Sequence, residues 1–205
     1  MQRPHGGVDW RVAIFVLVTA LTLLAAQADE AQWRVWLEPS FMRTNVTSPI
    51  SGAKQTVMAA GHFENGEWVP YGKWDFAAAA GEWDKFAPRA RQNAAADLAK
   101  LKPRYVRDAR HTIIYAALES GEPIVASAVL APGFLDLWKE TLGEKVLVVV
   151  PSRFTAYIFP RLTKDYADYA PMAWRSFRDT AWPVSVEVFE VSPEGWKCVG
   201  AYDRP

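Results

Sequence analysis

The 205-residue chain has a single cysteine, Cys198, and only three histidines. One cysteine forms no intramolecular disulfide, so the core must hold without a covalent staple even in an oxidising compartment. Its neighbours Trp196 and Val199 place it on a strand, as a small packed hydrophobe rather than a reactive thiol. Of the histidines, His5 lies in the opening segment, and His62 and His111 are far apart with no second histidine nearby. Zinc needs three or four converging ligands, so no metal site is expected, and no complete cofactor-binding motif is present.

An excess of one charge is also missing. Lys+Arg and Asp+Glu number 23 each; without Arg3, Arg11 and Asp9 of the opening segment they become 21 and 22, a net of −1. No run of Lys or Arg forms a local patch. Such a chain has no field to draw in nucleic acid or anionic lipid, which argues against both as partners. Half of the residues are apolar, far from the composition of disorder. No internal repeat occurs; the alanines at 77–80 and 94–96 read as close-packed helix faces.

The one long apolar run, residues 12–26, is broken only by Thr19 and Thr22. It is shorter than the ~20 residues that span a bilayer core. Arg3 and Arg11 precede it, and Ala26-Gln27-Ala28 follows with the small side chains that a signal peptidase cleft admits. The sequence therefore predicts a signal peptide at 1–28, a mature chain with no stable membrane span, and a periplasmic or secreted location. The rival reading is an uncleaved anchor. The cleavage site has no nearby cysteine to carry a lipid, which argues against a lipoprotein.

Residues 29–205 are long enough for one domain and cramped for two. Strands are expected at 32–38, 55–63, 68–71, 104–118, 145–150, 154–159, 184–188 and 196–201, with Asn65-Gly66 as a tight hairpin turn. Residues 39–53 read as an extended loop. Trp83, Phe86, Ala87, Ala90, Ala94, Leu98 and Leu101 recur at helical spacing, with Pro88 ending or kinking the helix. Residues 124–130 suit strand or helix, Pro132 suits the start of a helix through Leu142, and Leu162 to Phe177 form another helical stripe broken at Pro171. Five consecutive Val/Leu residues at 146–150 imply a central strand buried on both faces. Val184, Val186 and Val188 alternate with Ser185 and Glu187, as in a half-buried strand. This order predicts an α+β fold, a mainly antiparallel sheet with helices packed against it.

Several stretches resemble the bacterial YtpQ-type family. They are residues 90–94 (Ala-Arg-Gln-Asn-Ala), 125–134 (Val-Ala-Ser-Ala-Val-Leu-Ala-Pro-Gly-Phe), 148–153 (Val-Val-Val-Pro-Ser-Arg), and Pro183-Val184-Ser185 with Val188-Phe189. The resemblance covers roughly residues 85–200. It divides the mature chain into a Trp-rich N-terminal extension, 29–75, and a family-like core, 76–205. Phe154 stands where that family often has an acidic residue, and its familiar members look cytoplasmic. The resemblance implies a fold type and no reaction.

Candidate site residues are few. Ser51 and Lys54 have the spacing that lets an amine activate a serine on one helical turn, but they follow Pro49 in a loop. Residues 52–56 lack the upstream glycine of a phosphate loop. Asp165 and Asp168 lie a turn apart, on what reads as the solvated side of a helix. Arg153 sits in a turn leaving the central strand, placed either to hold a carboxylate or phosphate or to fix the turn. The chain has 10 Trp, and Trp33, Trp36, Trp68, Trp74 and Trp83 cluster outside the family resemblance. Such rings either stack on sugars and peptide side chains or anchor the N-terminal hairpin. Arg153, Trp68 and Trp74 are thus the candidate binding residues, with no catalytic set. The expected protein is a non-catalytic binding or interaction module with a cell-envelope ligand or protein as partner. The alternative is a hydrolase or transferase built from scattered residues.

Overall fold

The computed structural model describes residues 30–163 and 166–204. The predicted signal peptide and Asp165 lie outside the described residues.

Strands β1 (Trp33–Pro39), β2 (Thr47–Pro49), β3 (Thr56–Glu64) and β4 (Glu67–Pro70) form one antiparallel sheet. β3 is its spine. β1 runs along one side, with Trp33 opposite His62 and Pro39 opposite Thr56. β2 and β4 share the other side end to end, β2 opposite residues 57–59 and β4 opposite 61–64. Asn65 and Gly66, at φ 51° and 87°, make the two consecutive positive-φ residues that the tightest hairpin turn requires. β2 corrects the reading of 39–53 as loop: its three residues carry no apolar alternation, and their pairing with β3 makes them a strand.

Helices α1 (Lys73–Ala79) and α2 (Trp83–Leu98) follow. The break falls at residues 80–82 instead of Pro88, which lies inside α2. There the ring forfeits one backbone bond, and burial of Phe86, Ala87, Ala90, Ala94 and Leu98 holds the helix together. α2 packs on β1: Arg34 bonds Asp97 at 2.9 Å, and Asn93 Nδ2 donates to the Trp33 carbonyl at 3.1 Å.

Strands β5 (Arg104–Arg107), β6 (Ile113–Glu119), β7 (Val146–Ser152), β8 (Thr155–Pro160), β9 (Glu187–Ser192) and β10 (Gly195–Ala201) form a second antiparallel sheet in the order β10-β9-β7-β8-β6-β5. The stretch predicted as one strand over 104–118 is a hairpin, folded back where Asp108 accepts from the backbone of Arg110 and Thr112. Between β6 and β7 lie the short helix α3 (Val125–Ala128) and a single 3-10 turn at Leu135–Leu137, where a longer helix was expected. Helix α4 (Ala170–Arg178) begins with Pro171 in its first turn, so the proline starts this helix and does not break it.

β7 is central and buried along its whole length. Val146, Val148 and Val150 join the larger core with Trp33, Val35, Phe86 and Val125. Leu147 and Val149 face a smaller core with Tyr157, Val186 and Ala173 of α4. Each such side chain contributes about 1.5–3 kcal/mol when fully buried. The chain is therefore an α+β protein built on two antiparallel sheets, with α2 packed on the smaller sheet, α3 against both and α4 on the larger one.

The half-buried reading of 184–188 is wrong for Ser185 and Glu187, which are sealed from solvent. Glu187 Oε1 accepts from the backbone of Lys54 at 2.7 Å and Gln55 at 3.2 Å. Thr56 Oγ1 lies 2.6 Å from both Glu187 Oε2 and Ser185 Oγ. One hydroxyl hydrogen serves one acceptor, so Thr56 donates to the carboxylate and accepts from Ser185. Polar partners across the two sheets, and not solvent, satisfy these alternating residues.

Candidate functional site

β1 brings Trp36 and Glu38 to the same side, because side chains two apart on a strand share a face. The tight turn between β7 and β8 delivers Arg153 to them. Its backbone is fixed from both sides: Arg153 N–H donates to the Trp182 carbonyl at 3.1 Å, and Val125 N–H donates to the Arg153 carbonyl at 2.9 Å. Arg153 Nη2 lies 2.8 Å and 3.1 Å from the two Glu38 oxygens. Both side chains are buried, at 8% and 3% exposure. Trp36 Nε1 donates to the same carboxylate.

The guanidinium carbon lies 4.6 Å from the centre of the Trp182 ring and 5.8 Å from that of Trp36. At these distances the ring quadrupoles stabilise the cation by roughly 0.5–2 kcal/mol. Trp68 packs on Trp36 with ring centres 5.0 Å apart, and its indole N–H is held by the Pro123 carbonyl. Two adjoining concavities open over this group. One, of about 280 Å³, is lined by Glu67, Trp68, Pro123, Arg153, Phe154 and Trp182. The other, of about 340 Å³, has Trp36, Glu38, Arg153 and Trp182 with a rim that includes Arg43, Thr44 and Asn45.

The predicted residues divide clearly. Arg153 and Trp68 share one cleft. Trp74 does not: it stands on α1, 88% exposed, and lines neither concavity. Neither alternative for Arg153 describes its side chain fully, because it grips a carboxylate supplied by the protein itself.

Ser51 and Lys54 lie elsewhere. The Ser51 carbonyl accepts from Cys198 N–H at 2.8 Å, and the loop lies against β10. The concavities that contain Arg153 include neither residue. Asp168 is exposed in a 3-10 turn. His62 sits 3.4 Å from Glu64, and His111 occupies a surface loop at φ 62°. Among the described residues, no group of three or more His, Cys, Asp or Glu is placed to hold a metal ion. Cys198 is half-buried on β10, where burial pushes its thiol above the ordinary value.

Sequence reasoning missed Glu38, Trp182 and Arg43. The Trp36-x-Glu38 alternation on a strand was a usable signal for the first. Trp182 and Arg43 reach the cleft from loops distant in sequence, and no local pattern marks them.

Fold and site together define an α+β protein with an arginine-centred, tryptophan-walled cleft between two antiparallel sheets. No helix among the described residues is long and apolar enough to cross a membrane. Comparison with protein-family models, with curated proteins and with solved structures finds no match.

Proposed function

We propose that this is an exported, non-catalytic binding module of the bacterial periplasm or cell exterior, and that the Arg153 cleft holds its cell-envelope ligand. Kinship with the YtpQ-type family over residues 85–200 belongs to the same proposal and adds no reaction to it. Export rests on the N-terminal charge, apolar run and small-residue cleavage motif. The observation that carries the binding reading is the convergence of Trp36, Trp68, Trp182 and Arg153 around one concave surface. Rigid aromatic walls with a few fixed polar groups are the usual make-up of a ligand pocket. Glu38 is committed to Arg153 and Trp36, which disfavours it as a general base.

Indole fluorescence titration of the processed protein against cell-wall glycans and peptides tests the reading. A saturable change that Trp182→Ala abolishes is expected. Silence across the panel would refute it. Sequencing the mature N-terminus tests export, with a start at Asp29 expected and an intact Met1 contradicting it.

A further inference from the structure

We infer that the cleft takes an acidic saccharide, a sugar unit carrying a carboxylate, with the carboxylate between Arg43 and Arg153 and the sugar ring against Trp182. This rests on the binding reading above and adds the chemical class of the ligand.

Charge comes first. The larger concavity is lined by one carboxylate, Glu38, and two guanidinium groups, Arg153 and Arg43. Glu38 neutralises Arg153. Arg43 is exposed and makes no ion pair of its own among the described residues, so this concavity carries one uncompensated positive charge, while Glu67 lines the adjoining one. A single carboxylate balances it; a doubly charged phosphate monoester would overshoot. The Arg43 backbone is in the left-handed region, φ 54° and ψ 36°, where it caps the 3-10 turn at Ser40–Met42 and its N–H donates to the Ser40 carbonyl at 3.3 Å.

Free donors come second. The Arg153 side chain is nine-tenths buried, and only Nη2 has a protein partner among the described residues. Sealed side-chain atoms without partners include Trp33 Nε1, His62 Nδ1 and Arg91 Nε, but none belongs to Arg153. Its Nε and Nη1 have no hydrogen-bond partner among the described residues and are not sealed, and a carboxylate accepting from them would make charge-assisted hydrogen bonds.

The walls select a sugar. Trp182 keeps 43% of its surface exposed although Arg153 lies over its ring. A flat ring of this kind buries the apolar face of a pyranose at low entropic cost. Thr44 and Asn45 stand beside Arg43 with a hydroxyl and a carboxamide, which match sugar hydroxyls. At about 340 Å³ the concavity is at the small end for ligand pockets, which suits one or two sugar units.

The test is calorimetric titration of the processed protein with galacturonic acid, which carries one carboxylate, and, in parallel, with its neutral counterpart galactose. Roughly tenfold tighter binding of the acidic sugar at low salt is expected, shrinking as salt screens the exposed Arg43. Arg43→Asn, chosen because asparagine tolerates the left-handed backbone, should erase the preference with an unchanged circular dichroism spectrum. Trp182→Ala should weaken both sugars. Equal affinity for the two sugars, or a preference that survives Arg43→Asn, would overturn the inference. If neutral glycans or peptides bind and the acidic sugar does not, the inference falls while the binding module stands. If no ligand of any class binds, both fall.

Discussion

Replacing Arg153 with methionine is the most informative single perturbation of the fold. The substitution keeps much of the apolar stem under Trp182 and removes the charge. Glu38, 3% exposed, is left as a buried carboxylate whose remaining partner is the Trp36 indole. Breaking a buried pair in this way costs about 3–5 kcal/mol, because the orphaned charge keeps its desolvation penalty. An exposed pair would cost less than about 1 kcal/mol. With the whole fold stable by about 5–15 kcal/mol, Arg153→Met should consume about a fifth or more of that margin. Adding Glu38→Gln removes the stranded charge and keeps a carbonyl oxygen for Trp36 Nε1. The double variant should therefore recover at least about 2 kcal/mol relative to Arg153→Met alone. Urea unfolding followed by tryptophan fluorescence measures all four corners of the cycle. A single-variant cost below about 1 kcal/mol with no recovery in the double variant would show that solvent, and not burial, governs the pair.

Three further outcomes follow from the packing and the titrating groups. A Cβ at Gly61 would lie 2.2 Å from the Val69 carbonyl and 2.5 Å from the Trp36 ring, so Gly61→Ala should cost about 3 kcal/mol or more in urea unfolding and disturb the cleft wall. Tyr202 is buried, donates to the Tyr166 carbonyl at 2.8 Å and has its ionisation pushed up by burial; Tyr157 is shifted the same way. Folding disfavours both phenolates, so their contribution is complete below about pH 10 and is lost as pH rises through the folded values. Tyr202→Phe should thus cost about 1 kcal/mol at pH 7 and flatten the alkaline decline above pH ~10, read from urea midpoints. The Cys198 thiol, raised by burial, should alkylate with iodoacetamide at pH 8 more slowly than a free cysteine peptide, its rate climbing only at higher pH; equal rates would contradict its packing.

Much of the fold was legible where one physical signal dominates. The apolar run 146–150 marked a central strand because nothing polar interrupts it, and β7 is buried on both faces. Asn65-Gly66 announced its turn because few residues accept consecutive positive φ. The α2 stripe was likewise readable from Trp83 onward, but Pro88 does not end the helix, because it is tolerated where the apolar face is buried. Errors came where tertiary partners override local pattern. Ser185 and Glu187 look solvent-facing in sequence, yet Thr56 and the Lys54–Gln55 backbone satisfy them in the interior. The site was half legible. Arg153 stood out beside a buried strand and Trp68 within a tryptophan cluster, whereas Glu38, Arg43 and Trp182 join them only through the tertiary fold, Glu38 across 115 residues from Arg153. Trp74 belongs to the same sequence cluster, yet it lines neither concavity.

Indole N–H signals in a ¹⁵N-labelled sample give the most direct reading of the central claim, that the ligand occupies the Arg153 cleft. Titration with the tightest glycan or peptide should move the Trp182, Trp36 and Trp68 resonances together, assigned by single Trp→Phe variants, and leave Trp74 and Trp138 in place. Movement of Trp74 with the cleft signals unmoved would contradict it.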